Sequence, residues 1–357
     1  MVREYSDCEM TALLVVGPSW VGDMVMAQSL FKLIKQRSPE TDIDVLAPPW
    51  SRALLARMPE VRAAVESPLR HGELGLGSRY RIGTQLRRSH YHQAIVLPNS
   101  LKSALIPWWA KIPRRTGYLG ELRWGLLNDV RKLDELAMPQ TVQRFAALGC
   151  EGSADLPDPL PRPVLEVKPD DVDRGLQRLG IGRPSRPVLA LCPGAEYGSA
   201  KRWPVEYFVQ LADAIGDQEW QVWIFGSAQD AVQGRQIAAQ TNTACLDLIG
   251  KTTLAEAVDL MSLASVVVSN DSGLMHVAAA LDCKLVALFG SSSPDITPPL
   301  HPLAKVLCLA LECSPCFARE CPLGHRQCLR DIKPEQVLRA IAGFAARDNG
   351  TELQFVS

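Results

Sequence analysis

No apolar run in this 357-residue sequence approaches the roughly 20 residues that cross a bilayer, so no membrane-spanning helix is expected. The opening stretch MVREYSDCEM has no apolar signal core, and secretion is not expected either. An excess of one charge is also missing. Lys and Arg number 38 against 39 Asp and Glu, a net charge of −1, which argues against general nucleic-acid binding. G-x-G-x-x-G occurs nowhere, which weakens any NAD or FAD reading. Gly250-Lys251-Thr252 looks like part of a phosphate loop, but it lacks the glycine five residues earlier that a P-loop needs.

A hydrophobic content of 47% supports sizeable cores, and the length suggests two domains. Ten cysteines are present: Cys8, Cys150, Cys192, Cys245, Cys283, Cys308, Cys313, Cys316, Cys321 and Cys328. Several lie in apolar, strand-like runs, as reduced core cysteines do in a cytosolic protein. Cys313, Cys316, Cys321 and Cys328 share one segment with His325. Cys-x-x-Cys with two further cysteines could hold zinc or a cluster, although the second Cys-x-x-Cys of a zinc ribbon is absent. Reduced structural thiols are the other reading.

Strand and helix patterns alternate along the chain. Residues 1–10 read as a loose extension. Strands are expected at 12–16, 43–47, 61–66 and 94–97, and helices after 22 and over 50–57, 77–88 and 100–110. Five prolines between 152 and 169 then mark a semi-rigid linker, because proline fits neither a packed helix nor a central strand. A second series follows. Its strands are expected at 187–192, 221–225, 246–248, 266–268 and 284–289, its helices from Pro204, after 226–230, at 254–264, after 273 and at 334–346. Regular alternation of this kind points to an α/β fold with parallel sheets.

The chain is organised around SVVVSNDSGLMHVAAALD, 265–282. Val266–Val268 read as a buried strand, Ser269–Gly273 as a turn, and Leu274, Met275, Val277, Ala278 and Leu281 as an apolar helical stripe. The free N–H groups at the helix N-terminus offer an anion site, and Gly273 lets a phosphate approach the backbone. Asp271, itself negative, suits sugar hydroxyls better than phosphate. A plain capping turn is the alternative.

Other turns repeat this grammar. In GPSWVGD, Ser19 lies in a glycine-framed loop and Asp23 in a first helical turn, either as a dipole-favoured carboxylate or as a base at a strand's carboxyl end. In PNSLKSAL, Asn99, Ser100 and Lys102 are expected at the same rim. Lys201, in PGAEYGSAKRWP, suits a cation reaching a phosphate, or a surface charge at a helix start. Asp230, in GSAQD, could accept from a ribose hydroxyl or serve as a first-turn acid. From Lys102 to Arg144, eight Lys and Arg face four acids, giving either a solvated charged face or a surface for an anionic acceptor.

Taken together, GPSWVGDMVMAQ, PGAEYGSAKRWP and SNDSGLMHVAAAL resemble the ADP-heptose:lipopolysaccharide heptosyltransferases, glycosyltransferase family 9. The resemblance runs over nearly the whole chain outside the first ten residues and the tail. It implies a GT-B fold, two facing Rossmann-like parallel-sheet domains with an interdomain cleft. The first, 1–165, would bind the acceptor, with the helix at 333–346 packing back on it; the second, 166–332, would bind ADP-sugar. It also implies roles. Asp23 would be the general base and Lys201 the diphosphate cation. Ser19 would lie near the reacting groups, Asp230 at the ribose, Thr252 near the adenine and Asp271 at the heptose hydroxyls. Ser272, Gly273, Leu274 and His276 would form the diphosphate loop. Met26 stands where some members read GD-x-x-H, which favours the branch that adds heptose to the first inner-core heptose.

The implied donor is ADP-L-glycero-D-manno-heptose. The implied acceptor is the lipid-linked heptosyl-Kdo2-lipid A, met by a cytoplasmic protein with peripheral inner-membrane contact. No cofactor and no catalytic metal are expected, since a lysine and a helix N-terminus can stabilise the leaving diphosphate. The competing expectations are another core heptosyltransferase of the family, a Rossmann-type nucleotide-sugar epimerase or oxidoreductase, and a catalytically dead binding protein.

Overall fold

The computed structural model describes residues 12–69, 72–151 and 156–348, which leaves Cys8 and the expected N-terminal extension outside the described residues. The chain divides into two compact units between Pro161 and Arg162.

In the first unit β1 (Ala12–Val16), β2 (Asp42–Ala47), β3 (Val61–Glu66), β4 (Gln93–Val96), β5 (Arg114–Tyr118) and β6 (Asp129–Arg131) form one sheet. Its order is β3-β2-β1-β4-β5-β6 and every pairing is parallel. The connecting helices are α1 (Val21–Arg37), α2 (Arg52–Leu55), α3 (Leu76–Leu86), α4 (Leu101–Trp109) and α5 (Thr141–Ala147). Central β1 buries Leu13, Leu14, Val15 and Val16, as a strand covered on both faces must. Strands β5 and β6 and helix α5 lie in the stretch that reads in sequence as a basic run. Their polar residues pair with one another: Arg114 and Arg131 both meet Asp129, and the Thr116 hydroxyl donates to the same carboxylate at 2.9 Å.

The second unit opens with α6 (Pro169–Leu179). Pro169, expected in a linker, stands instead at the first helical position, where the missing N–H costs nothing. The sheet comprises β7 (Val188–Cys192), β8 (Gln221–Ile224), β9 (Cys245–Asp247), β10 (Val266–Asn270), β11 (Lys284–Phe289) and β12 (Lys305–Cys308). The order is β12-β11-β10-β7-β8-β9, again parallel. The helices are α7 (Val205–Gly216), α8 (Ala231–Gln240), α9 (Leu254–Met261), α10 (Gly273–Ala280), α11 (Gln327–Arg330) and α12 (Pro334–Asp348). Expected on the first domain, α12 places Val337, Ile341 and Phe344 in the second unit's core with Trp203 and Phe208. Residues 162–165 also join this unit rather than the first, through the Leu165 N–H donating to Ala280. Burial pushes the Cys192 and Cys283 thiols up, in keeping with reduced core cysteines.

Both sheets share one topological property. Successive strands run outward from one central strand, then cross to its other side, so the order reverses between β1 and β4 and between β7 and β10. Ligands in open α/β sheets bind at the carboxyl ends of strands beside such a reversal.

Candidate active-site residues in each unit

In the first unit the reversal point is flanked by the turn after β1 and the turn after β4. Ser19 and Asp23 lie on the former, both half-buried, with Asp23 in the first turn of α1, where the helix dipole favours a carboxylate. Asn99, Ser100 and Lys102 lie on the latter, with Ser100 as the N-cap residue of α4. Two buried arginines shape this second turn. Arg123, 2% exposed, donates to the carbonyls of Pro98 and Tyr118, to Ser103 Oγ and to Asn99 Oδ1. Arg79, 8% exposed, donates to the carbonyls of Glu73, Leu74 and Lys102. Burial pushes both guanidinium pKa values down from the usual arginine value, and backbone carbonyls hold them in place of a carboxylate ion pair.

Four of the eight cations between Lys102 and Arg144 are therefore internal scaffolding, while Lys111, Arg114 and Lys132 are exposed. Arg115 donates to Leu126 and Ile112, Arg131 to Cys150, and Arg144 to Met138 and Pro139. Neither a solvated face nor a surface for an anionic acceptor includes Arg115, Arg123, Arg131 and Arg144, which donate to the protein's own carbonyls. Lys102, half-buried, keeps its place at the rim.

In the second unit the reversal point lies between β7 and β10. Lys201 Nζ meets Asp271 Oδ2 at 2.5 Å, and the Ser292 hydroxyl, on the turn after β11, donates to the same oxygen. The ammonium also stands 5.2 Å from the centre of the Tyr197 ring, with the Arg319 guanidinium 5.1 Å from that centre. Asn270 fixes this arrangement: its amide donates to Pro193 at 2.7 Å and its oxygen accepts the Trp203 N–H at 3.1 Å. The loop that carries Lys201 is thus pinned to the end of β10, which carries Asp271. Trp203, fully buried, closes the loop by donating from Nε1 to Ile332 at 2.8 Å.

Ser272 is the N-cap residue of α10, and no side chain caps the helix. The backbone N–H groups of Gly273 and Leu274 open its first turn, an end that attracts anions. His276 is buried one turn on. Desolvation, helped by Lys201 and opposed by Asp271, pulls its pKa down to about 4, so it is neutral at pH 7.

Asp230 adopts the first-turn role. Its Oδ2 accepts from the Ser227 N–H at 3.0 Å and from the Ser227 hydroxyl at 2.7 Å, and it is 6% exposed. Its other oxygen, Oδ1, is buried without a hydrogen-bond partner and lies 3.8 Å from Arg202. A Cβ at Gly194 would stand 2.5 Å from this carboxyl group, so the loop after β7 lies against it. Thr252 follows β9 at the sheet's edge, half-buried. The row Asp271, Lys201, Asp230, Thr252 thus follows β10, β7, β8 and β9 in spatial order. At the usual strand spacing it spans about 14 Å, which suits an extended ligand.

Sequence reasoning singled out Lys201 and Asp271 separately and missed Ser292 and Asn270. Ser292 had a signal in GSSSPD, a polar turn directly after a buried strand. Cys321, in the cysteine-rich segment, has its pKa lowered by backbone N–H groups, those of Arg326, Leu323, Gly324 and His325 among them. Among the described residues no group of three or more His, Cys, Asp and Glu is placed to hold a metal ion.

Known proteins share this sequence and architecture. A model described as glycosyltransferase family 9 (heptosyltransferase) matches residues 79–327. Lipopolysaccharide heptosyltransferase 2 of Salmonella typhimurium is 47% identical over 94% of this chain and 99% of its own length. The solved structure of E. coli ADP-heptose lps heptosyltransferase II superposes with a TM-score of 0.85 at 44% identity, covering 95% of this chain and 99% of that one. An E. coli heptosyltransferase with ADP, 16% identical and with a TM-score of 0.69 over 93% and 99% of the two chains, shares the fold.

Proposed function

Because the chain belongs to glycosyltransferase family 9, the heptosyltransferases, we propose a division of labour in which the first unit binds the acceptor and the second binds ADP-heptose. The chain is a glycosyltransferase with heptosyltransferase II activity in the lipopolysaccharide inner core. The observation that carries this is 47% identity to a heptosyltransferase 2 over nearly the full length of both chains.

The reaction is read as a single displacement with inversion at the heptose anomeric carbon. The acceptor is the first heptose of a lipid-linked heptosyl-Kdo2 saccharide. Asp23 removes the proton from its attacking hydroxyl. Lys201 and the first N–H groups of α10 take up the negative charge on the departing diphosphate. One helix end contributes only about 0.3–2 kcal/mol, so cation and amides act together. Asp271 is a buried acceptor for heptose hydroxyls, and its contact with Lys201 supports a sugar and a diphosphate meeting at this point. Asp230 and Thr252 lie farther along the same edge, on the adenosine side. No divalent metal enters this scheme. The protein works at the cytoplasmic face of the inner membrane as a peripheral protein; among the described residues no helix is long and apolar enough to cross a bilayer.

The test is product formation followed by mass spectrometry, with EDTA present. The protein is mixed with ADP-L-glycero-D-manno-heptose and, in separate reactions, with Kdo2-lipid A or its mono-heptosylated form. One heptose added to the mono-heptosylated acceptor alone is the expected result. Addition to bare Kdo2-lipid A would move the acceptor to the earlier step, and loss of product in EDTA would end the metal-free scheme.

A further inference from the structure

The first unit carries a surface whose composition the transferase chemistry does not use. Helices α3 and α4 pack side by side through a glycine: a Cβ at Gly83 would lie 2.7 Å from Trp109 Cβ and 2.9 Å from the Ile106 carbonyl. The close approach brings three rings into a row. Tyr80 stacks edge-on against Trp109 at 5.7 Å, and Trp109 meets Trp108 at 6.0 Å. These rings are not hidden, since Tyr80 is 52% and Trp108 43% exposed. Leu74 and Leu76, at the start of α3, are half-exposed as well.

Charge around the row is one-sided. Between residues 72 and 111 there are six Lys and Arg and a single acid, Glu73. Arg79 is consumed internally, whereas Arg81, Arg87, Arg88 and Lys111 are exposed. On α3 the helical spacing puts Leu76, Tyr80, Thr84 and Arg87 on one exposed strip, with Arg81 and Arg88 beside it. Arg87 is held against the row by donating to the Trp109 carbonyl at 2.8 Å.

We propose that the α3–α4 face docks on an anionic lipid bilayer, with Trp108, Tyr80, Leu74 and Leu76 entering the headgroup region and the surrounding cations meeting lipid phosphates. Tryptophan and tyrosine suit a boundary that is apolar on one side and wet on the other. Exposed cations gain from an anionic lipid surface, and the exposed rings beside them supply the interfacial anchor that a bilayer rewards. The face is also continuous with the acceptor turn. Arg79 donates to the Glu73, Leu74 and Lys102 carbonyls, which joins the loop that carries Leu74 to the start of α4, where Lys102 lies. A bilayer under this face would hold a lipid-linked saccharide next to that turn. The proposal rests on the reading that the acceptor is lipid-linked.

The experiment uses the full chain and vesicles without acceptor. Sedimentation is measured with phosphatidylcholine alone and with equal parts phosphatidylcholine and phosphatidylglycerol. The chain should sediment with the anionic vesicles, and added salt should release it. Arg81→Gln with Arg88→Gln should weaken binding by about fivefold per cation removed. Leu74→Ser with Leu76→Ser should weaken it further without changing the salt dependence. Both variants should keep wild-type turnover on a deacylated, water-soluble acceptor while losing it on acceptor embedded in anionic vesicles. Failure of the wild-type chain to bind anionic vesicles would overturn the proposal, as would equal losses on soluble and embedded acceptors. A dimer that these substitutions dissolve, without vesicle binding, would give the face to a second copy of the chain and overturn it too. If the chain transferred heptose to neither acceptor, the transferase reading would fall, while the vesicle arm would still decide the docking face.

Discussion

Lys201 Nζ and Asp271 Oδ2 are 70 residues apart in sequence and 2.5 Å apart in space. The cation assigned to the diphosphate and the acid assigned to the sugar thus neutralise each other. A diphosphate reaching Lys201 competes with Asp271 for the ammonium. Asp271→Asn should therefore tighten ADP binding by about tenfold, the equivalent of one charge-assisted hydrogen bond released from competition. Heptose transfer should fall in the same variant. Lys201→Ala should weaken ADP binding. Calorimetric titration with ADP, beside turnover, checks the opposite directions.

Asp23→Asn should reduce kcat by about 10²–10⁴ and leave the Kd for ADP unchanged. The amide keeps the size of the side chain and cannot take a proton. Single-turnover kinetics with saturating donor separates this from a folding defect.

His276 makes stability depend on pH in a defined window. Its folded pKa of about 4 lies below the ordinary histidine value of 6.5, so the unfolded chain binds the extra proton between these values. Stability is fully present above about pH 6.5 and falls as pH drops toward 4, by an amount on the order of 3 kcal/mol. His276→Gln should flatten urea-unfolding free energies across that window. Asp129, Glu256 and Asp282, whose pKa values are lowered by arginine partners, lose their contribution at more acid pH and leave the variant's lower limb in place.

Arg123→Met should cost about 2–4 kcal/mol in unfolding free energy, because the Pro98 and Tyr118 carbonyls lose their donor. The turn at Asn99 should loosen, raising the acceptor KM without changing ADP affinity. Arg123→Lys should not rescue it, since one ammonium cannot reproduce the planar fork that reaches four acceptors.

Gly194→Ala should destabilise by about 1–3 kcal/mol, since its Cβ would press on an Asp230 carboxylate already fixed by Ser227. The loop that leads to Lys201 should shift with it and weaken ADP binding. Thermal unfolding with and without ADP reads both effects.

Much of this architecture was legible. Val266–Val268, Leu189–Leu191 and Leu13–Val16 are uninterrupted apolar runs, and such runs followed by glycine, serine and asparagine fold as strands entering turns. Strands β5, RRTGY, and β6, DVR, were not legible, because arginine-rich segments carry no apolar alternation. They form through the shared carboxylate of Asp129, a contact that only the folded sheet creates. The burial of Arg79 and Arg123 was not legible for a similar reason. Arginine is almost always exposed, and only carbonyls converging from separate chain segments make a buried one tolerable. In the second unit the sequence marked Lys201 and Asp271 by their turns. Their pairing depends on β7 and β10 lying side by side, an adjacency no local pattern announces.

Helix α12 closes the core that β7 begins, since Val337, Ile341 and Phe344 share a cluster with Leu189 and Trp203. On the ribosome this has a temporal consequence. The first unit's sheet and α5 are complete once residue 147 has been made, so it can fold while translation continues. The second unit waits for residues near 344 before its core can shut. A ribosome stalled between these points would present one finished unit followed by uncovered apolar strands, the form of this chain most exposed to aggregation and proteolysis.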